Sequence, residues 1–326
     1  MKTGKISNTI LKRSVLKNIG SGNKCKERKM CPGMGASVFR EDAFKDGRRM
    51  VMSTESGLEP VIKAANNVWA KGAHAKAVQV SVTMPPQDRE IRLKEITAAI
   101  SADCARWGID YAGGHTQVRD SVNRTIISAT CIGEQREEVQ EAYTGRDVKP
   151  GDVIALTKWI GIGGIQKVID EKRGEISERY REHVIDTAYG KREYLSIMDE
   201  AVIGAQAGAT YMLPVSSGGV YAGLWNLSEV TGLGFDVDFR KIPVCQEIIE
   251  ICEIYDINPY ELESSGCLLM TFRPECGIIN QLHENGIPVA VIGTTQESND
   301  KMIRNLDEIR YLDMPKCDEV YKIINS

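Results

Sequence analysis

AVQVSVTMPPQDREIRLKEITAAISADCARWG, residues 77–108 of this 326-residue chain, contains a strand pattern that is followed directly by a helix pattern. Apolar residues alternate with polar ones over 78–84, which predicts a strand with one buried face and one wetter face. Apolar residues then recur at helical spacing over 93–107, so a helix is expected there, with Asp88 as its cap and Gly108 as its end. A strand and a helix in direct succession indicate a protein that layers helices on a sheet.

The same alternation continues on both sides of this stretch. Before it, residues 49–54 have a strand pattern, and Pro60 opens a helix that Gly72 closes. After it, strand patterns follow near 109–112 and 124–132. This repeated exchange of strand and helix patterns indicates an α/β or α+β layer.

A polar break, RDVKPG at 146–151, precedes a new apolar strand over 152–157. At roughly 100–200 residues per domain, the chain length also favours two domains. We therefore predict one domain over 1–148 and a second over 149–326. In the second domain, helices are expected near 162–172, 193–207, 218–231, 245–255 and 275–285, and strands near 210–214, 234–239, 266–272 and 288–293, with a hairpin around Asn305-Leu306-Asp307.

Charge and hydropathy argue against several classes of partner. Lys and Arg number 41 against 45 Asp and Glu, which gives a net charge of −4 and no electrostatic reason to expect nucleic acid or an anionic membrane. The sequence has no apolar run long enough for a transmembrane helix. Lysines interrupt the apolar pattern of residues 1–20, unlike the pattern of a signal peptide. We expect a cytoplasmic protein.

The nine cysteines include no CxxC pair, which argues against a zinc ribbon or a redox motif. Cys25 and Cys31 are one residue too far apart for the usual zinc spacing. Cys104, Cys131 and Cys267 lie in apolar segments and are expected to be small core residues. Reduced thiols fit a reducing compartment.

Asn66 and Asn67 lie consecutively inside the helix that is expected to begin at Pro60. Asn is a poor residue for a helix interior because its amide competes with the backbone for hydrogen bonds. The two residues either form a buried amide pair that bonds a neighbouring loop, or face a ligand. The residues alone leave both interpretations open.

Three glycine-rich turns are expected after strands. Such turns let backbone N–H groups approach an anion closely, and a helix N-terminus adds the positive end of its dipole. His115, in the first turn, is either a proton carrier or ligand, or a satisfied turn residue. The turns are Gly113-Gly114-His115-Thr116, Gly161-x-Gly163-Gly164 and Ser216-Ser217-Gly218-Gly219.

The order of eight stretches resembles a known superfamily, that of aminoimidazole ribonucleotide (AIR) synthase, selenophosphate synthetase, thiamine-phosphate kinase and the hydrogenase-maturation protein HypE. Within it, the chain is most similar to HypE-like, AIR synthase-related proteins. The stretches are GK at 4–5, PGMG at 32–35, STES at 53–56, KAANNVWAKGAHAKAV at 63–78, YAGGHTQV at 111–118, KPGDVIALTKWIGIGG at 149–164, SSGGVYAGLWNLSEVTGLG at 216–234 and PxxDEVYK at 315–322.

The resemblance implies a PurM-like fold of two α+β domains and a homodimer that joins the N-terminal sheets of two subunits. It also implies that ATP binds in a cleft between the domains and at the dimer interface, and that ATP phosphorylates a small acceptor. Catalytic roles would fall on His115 and Asn67, and a Mg²⁺-binding role on Glu55. The nucleotide-binding positions would be Gly33, Gly35, Ser37, Asn66, Gly113, Gly114, Thr116, Gly161, Gly163, Gly164, Ser217, Gly218 and Gly219.

The sequence departs from the family where relatives carry metal-binding aspartates. Ser37, Asn67 and Pro214 stand at such positions, and only Glu55 keeps the charge. Because Mg²⁺ prefers charged oxygen ligands, each lost carboxylate weakens its site. Nearby carboxylates that could substitute are Glu41, Asp42 and Asp120.

The C-terminal region also departs from HypE, whose tail ends in a modified cysteine. This chain has Pro315-Lys316-Cys317 followed by a different tail, so the activity of HypE itself is not expected. Two functions remain open. The protein is either an ATP-dependent phosphoryl-transfer enzyme with an unknown acceptor, or a catalytically degenerate nucleotide- or metabolite-binding protein of the same fold.

Overall fold

The computed structural model describes residues 8–16, 35–38, 49–135 and 145–324, which form two compact units. The first unit comprises 35–38 and 49–135, and the second comprises 8–16 and 145–324. The N-terminal segment therefore groups with the C-terminal part of the chain, in contrast to a simple division at residue 148. It contains a short helix, α1 (Asn8–Ile10), whose Asn8 donates a hydrogen bond to Asn226 Oδ1 at 3.1 Å.

The first unit is built on a five-stranded sheet of order β1-β2-β5-β3-β4, with two helices. Its main helix, α2, is buried at all ten positions and packs against β2, β3 and β5. The strands are β1 (Ser37–Val38), β2 (Arg49–Ser56), β3 (Ala73–Met84), β4 (Asp110–Val118) and β5 (Ile126–Gln135), and the helices are α2 (Pro60–Trp69) and α3 (Glu90–Arg106).

The alternation that predicted β3 is confirmed. Val78, Val80, Val82 and Met84 are buried, whereas Gln79 is exposed. The expected stripe of α3 is buried at Ile96, Ile100 and Cys104.

The predicted cap of α3 is wrong. Arg89 precedes the first turn without a side-chain cap, and the Asp88 carboxylate accepts a hydrogen bond from Thr125 Oγ1 instead. Gly108 does end the helix region, with a φ of +64°. That dihedral angle is readily adopted only by glycine.

The described residues of the second unit form a seven-stranded sheet of order β12-β11-β8-β10-β6-β9-β7 and seven α-helices besides α1. Its central strands β6 and β9 are almost wholly buried. The strands are β6 (Val153–Thr157), β7 (Tyr211–Val215), β8 (Gly234–Asp238), β9 (Cys267–Phe272), β10 (Val289–Gln296), β11 (Lys301–Asn305) and β12 (Glu308–Tyr311). The helices are α4 (Ile162–Ser177), α5 (Glu182–Gly190), α6 (Met198–Ala207), α7 (Gly219–Thr231), α8 (Gln246–Ile254), α9 (Ile278–Glu284) and α10 (Tyr321–Ile324).

Most expected elements of this unit are confirmed, including the hairpin of β11 and β12, whose turn residue Leu306 has a φ of +56°. Helix α5 was not expected. The helix that was expected over 193–207 is divided into a 3₁₀ turn at Lys191–Leu195 and α6. No helix in the described ranges is both long and apolar enough to cross a membrane.

The cysteines that were expected in the core are there. Cys104, Cys131 and Cys267 are all buried free thiols. Burial raises the pKa of Cys131 to about 12, which keeps the thiol protonated and unreactive at neutral pH. Cys25 and Cys31 lie outside the described residues.

Candidate functional site

Four residues of the first unit form a polar cluster, which we name the Asn67 cluster: Gly35, Ser53, Glu55 and Asn67. The Asn67 Nδ2 group donates to Glu55 Oε1 at 2.7 Å and to Ser53 Oγ at 3.1 Å. Ser53 Oγ in turn donates to the Gly35 carbonyl at 3.0 Å. The structure thus brings together three predicted site residues, Gly35, Glu55 and Asn67, and adds Ser53.

Alternation along β2 and the position of Asn67 on α2 explain this convergence. Glu55 is two residues after Ser53 and shares its face of the strand, the face covered by α2. Asn67 projects from the last turns of α2 and is 8% exposed. Gly35 must lack a side chain, because a Cβ there would lie 2.6 Å from Asn67 Oδ1.

Asn66 and Ser37 have different environments. Asn66 is 1% exposed, and its backbone carbonyl accepts the N–H of Ala70 within α2. Ser37 is half-buried in β1 and pairs with Met52 of β2. Gly33, Glu41 and Asp42, which the sequence also suggested, lie outside the described residues.

The donor set of the Asn67 cluster does not fit Mg²⁺. Glu55 supplies one carboxylate, but Asn67 turns an N–H donor towards it rather than an oxygen. Magnesium requires oxygen ligands in near-octahedral geometry. Within the described ranges, no group of three His, Cys, Asp or Glu side chains is arranged to hold a metal ion. Asp120, a suggested substitute, is exposed beyond the end of β4.

The expected turn at Gly113-Gly114 is wrong, because these residues lie inside strand β4. Gly114 is paired with Val80 of β3, and His115 with Ser81. A Cβ on Gly114 would lie 1.8 Å from the Val80 carbonyl oxygen, so the glycine is needed for the approach of two strands. Gly113 has open space around its Cα.

His115 and Thr116 are exposed on this edge strand. The His115 side chain makes no hydrogen bond to any described residue, which contradicts its interpretation as a satisfied turn residue. It remains available for a ligand or a partner subunit.

The turn at Gly161-x-Gly163-Gly164 begins α4 and is closely covered by residues 262–265. The Gly161 N–H donates to Ser264 Oγ at 2.8 Å, and the Gly164 N–H to the Glu263 carbonyl at 2.7 Å. A Cβ on Gly164 would lie 2.4 Å from Leu262 Cγ. These contacts favour a packing role for the turn over the predicted phosphate-binding role.

The turn at Ser216-Ser217-Gly218-Gly219 begins α7 and meets the same covering segment. Ser217 Oγ donates to Glu263 Oε2 at 2.9 Å, and the Gly218 N–H donates to Asp318 Oδ2 at 2.6 Å. The anion-type turn therefore holds a carboxylate of its own chain. The aligned position Pro214 lies in β7, where it pairs with Leu268.

Two carboxylates beside the glycine turns, those of Glu263 and Asp318, were not predicted from the sequence as site residues. Both are buried, and both accept backbone N–H groups: Glu263 accepts that of Ser265, and Asp318 those of Gly218, Glu263 and Val320. No local pattern marks Glu263. Asp318 belongs to the PxxDEVYK stretch, which was a signal for family membership but not for this contact.

Burial, together with the nearby charge of Glu263, raises the pKa of Asp318 from its ordinary 3.8 to about 6, although three backbone N–H groups oppose the shift. The folded chain then binds this proton more tightly than the unfolded chain. The contribution of Asp318 to stability is therefore fully present below pH 3.8 and is lost as the pH rises through about 6.

We expect the Asp318→Asn variant to lack this pH dependence. Between about pH 4.5 and pH 7, its free energy of unfolding should rise relative to that of the wild type, by at most ~1.4 kcal/mol per pH unit. Urea unfolding of both proteins at the two pH values measures the difference. A constant difference would mean that Asp318 is ionised throughout this range.

Comparison with known proteins assigns both halves of the chain. Residues 35–135 match the family AIR synthase related protein, N-terminal domain, and residues 149–304 match AIR synthase related protein, C-terminal domain. A Methanocaldococcus jannaschii protein named for hydrogenase expression and formation is 23% identical over 98% of this chain and 97% of its own length. Carbamoyl dehydratase HypE of Rhizobium leguminosarum bv. viciae is 22% identical over 76% of this chain and 73% of its own.

The fold is likewise that of solved relatives. The crystal structure of hydrogenase maturation protein HypE in complex with ATP matches with a TM-score of 0.70 and 17% identity, over 83% of this chain and 86% of that one. The PurM-like α+β fold is therefore confirmed. Since the two family matches together span most of the sequence, the chain belongs to the AIR synthase related family.

Proposed function

We propose that this protein binds ATP and that the Asn67 cluster forms part of the site. The observation that carries the proposal is the cluster itself, in which a half-buried carboxylate, an amide and a glycine backbone converge. Polar groups brought together at the end of a buried helix are typical of ligand sites. Further support comes from the fold, since HypE of similar structure was crystallised with ATP.

The reaction that we propose is transfer of the terminal phosphoryl group of ATP to an oxygen of a small acceptor. The bond between that phosphorus and the β-phosphate oxygen breaks, a bond to the acceptor oxygen forms, and ADP leaves. His115 lies on the sheet face away from α2, where it is exposed and free of hydrogen bonds to described residues, and we assign it the acceptor proton in a site that the partner subunit completes.

One observation favours a second candidate, a nucleotide- or metabolite-binding protein without catalysis. The Asn67 amide donates to Glu55 at 2.7 Å, so the carboxylate is satisfied by an N–H group and needs no cation. A site of this kind would bind ATP without Mg²⁺. The two candidates therefore differ in how strongly binding depends on the metal.

The metal dependence of ATP binding by the wild type separates the candidates, and the Asn67→Asp variant tests whether the Asn67 cluster lies at the ATP site. The substitution replaces the amide donor by a second carboxylate beside Glu55, and the repulsion between the two is relieved by a bound cation. Wild-type protein that binds ATP equally well with Mg²⁺ and with a chelator would support the second candidate, whereas tighter binding in Mg²⁺ would support the first. The variant should bind ATP at least about tenfold more tightly in Mg²⁺ than in chelator, by calorimetric titration.

Asn66→Asp is the matched control, because it adds the same charge one residue earlier on α2. It should lower the melting temperature without creating any metal dependence. If wild-type protein binds no ATP in either condition, the proposed function is wrong. The alternative outcome is that Asn67→Asp lowers the melting temperature, as the control does, without making ATP binding depend on Mg²⁺. In that case the Asn67 cluster is a buried polar network and not part of the ATP site.

We further propose a homodimer formed through the sheet of the first unit. On the face of β2 away from α2, Met52, Thr54 and Ser56 are exposed, and strand β4 is an exposed edge. Unpaired edges and open sheet faces are normally covered in stable proteins. The expected particle in light scattering has twice the chain mass of 36.1 kDa.

The Met52→Lys variant should dissociate this dimer, because it places a charge in the covered face. Ile91→Lys is the control, since Ile91 is also an exposed apolar residue but lies on α3. Light scattering at micromolar concentrations should give the single-chain mass for Met52→Lys and the doubled mass for Ile91→Lys. A single-chain mass for the wild type would exclude the dimer.

A further inference from the structure

The second unit contains a cavity of about 330 Å³ between the hairpin of β11 and β12 and the start of α7, where Gly218 of the glycine turn reaches its wall. Its walls come from Tyr221 of α7, from Phe239 after β8, and from residues 310–316. That last stretch follows the part of the chain that matches the family, which ends at residue 304. More than half of the residues that line the cavity therefore follow the stretch matched by the family model.

Aromatic rings form one wall of this cavity. The Tyr221 ring stacks on Tyr260, with centroids 5.7 Å apart and planes 19° apart, and Tyr260 lies 4.6 Å from Phe239. Each ring thus holds the next in place. Tyr221 and Phe239 both line the cavity, so aromatic surface is available there to a planar ring.

Opposite charges line the same cavity without being paired. The half-buried Glu261 carboxylate makes no hydrogen bond or ion pair with a described residue, and neither does the Lys316 ammonium group. Burial and the charge of Glu319 raise the pKa of Glu261, whereas Lys316 and Lys322 lower it. Arg310, also in the wall, is already bound to Glu308 at 2.9 Å.

Asn258 adds a hydrogen-bonding group. Its side-chain oxygen accepts the Tyr260 N–H at 3.1 Å, which fixes the amide and leaves its N–H₂ group for other partners. The acidic residues of the wall, Glu261 and Asp313, balance the basic ones. Because the charges of the wall cancel, the cavity would not attract a polyphosphate strongly.

We propose that this cavity binds a small planar aromatic molecule that carries both an amino group and a carboxylate or similar anionic group. The ring lies against Tyr221 and Phe239, the amino group donates to Glu261, and the anion faces Lys316. The cavity volume of about 330 Å³ lies at the lower end of the range for small-molecule pockets. The proposal does not depend on the ATP site.

The probe is 4-aminobenzoate, with benzoate and aniline as controls that each lack one of the two groups. Titrations monitored by NMR of the full chain should give at least about tenfold tighter binding for 4-aminobenzoate than for either control. ATP should not compete. Failure of ATP to bind at all would contradict the proposed function but leave this result unaffected.

Two variants test which side chain of the wall binds the carboxylate of the probe and which binds its amino group. Lys316→Gln should weaken 4-aminobenzoate about tenfold and leave aniline unchanged, whereas Glu261→Gln should weaken 4-aminobenzoate and leave benzoate unchanged. Lys241→Gln is the control, because Lys241 is exposed but lies outside the cavity wall. The proposal is overturned if no probe binds, if the three probes bind alike, if ATP displaces 4-aminobenzoate, or if neither variant changes its affinity.

Discussion

Replacing Gly114 with alanine is expected to destabilise the first unit by about 4 kcal/mol, the sum of backbone strain and a forced strand separation. The new Cβ would lie 1.8 Å from the Val80 carbonyl oxygen, and the Gly114 φ of +153° disfavours any side chain. Since both obstacles are backbone features, a rotamer change cannot relieve them. The pairing of β3 with β4 should be lost first.

Gly113→Ala is the matched control for this prediction. Gly113 also has a positive φ, +118°, but no atom lies within 4 Å of its Cβ position. The Gly113→Ala substitution should lower the free energy of unfolding by about 1–3 kcal/mol, the range for backbone strain alone. Hydrogen exchange of peptides from β3 and β4, read by mass spectrometry, measures both variants. Equal protection in the two variants would show that the strands have room to move apart.

A second large effect is expected at the buried ion pair of Lys158 and Glu200, whose side chains are 5% and 4% exposed. Glu200→Gln should cost about 3–5 kcal/mol, because it leaves a buried ammonium group without its counter-charge. The Lys158 Nζ would keep its hydrogen bonds to the carbonyls of Tyr194 and Ser196. Those bonds satisfy two of its three N–H groups but do not neutralise its charge.

Thermal unfolding of the second unit measures this effect, with an expected drop of about 10 °C for a domain of this size. Glu90→Gln serves as control, because the Glu90–Lys94 pair is 77% and 68% exposed and should contribute under about 1 kcal/mol. Replacing both buried partners by Lys158→Met and Glu200→Leu should recover most of the loss. If Glu200→Gln proves as stable as Glu90→Gln, water reaches the Lys158–Glu200 pair.

Local patterns predicted the fold well, for reasons visible in particular residues. The alternation from Val78 to Met84 is a property of seven neighbouring residues, and the hairpin at Leu306 needs only a turn between two short strands. Helix α5 was missed because its few buried residues, Ile185 and Ala188, give too short an apolar pattern.

The candidate site was harder to predict, since it depends on contacts between distant segments. Asn67 was singled out as unusual inside its helix, but its partner Ser53 lies on strand β2, fourteen positions earlier in the chain. Gly114 looked like a ligand-facing glycine because sequence cannot reveal which backbone approaches it. The turns at Gly161 and Gly218 looked open because the residues that fill them, Glu263, Ser264 and Asp318, are 46 to 103 positions away.

The bond from Gly218 to Asp318 also has a consequence for biosynthesis. Its two residues are 100 positions apart, and at ~5–20 residues per second the ribosome needs ~5–20 s to make the intervening chain. Throughout that interval, α7 has been synthesised but the Asp318 carboxylate, which accepts the Gly218 N–H at its first turn, has not. The second unit therefore cannot reach its final packing while it is being made, and this interval is when a chaperone would be of most use to it.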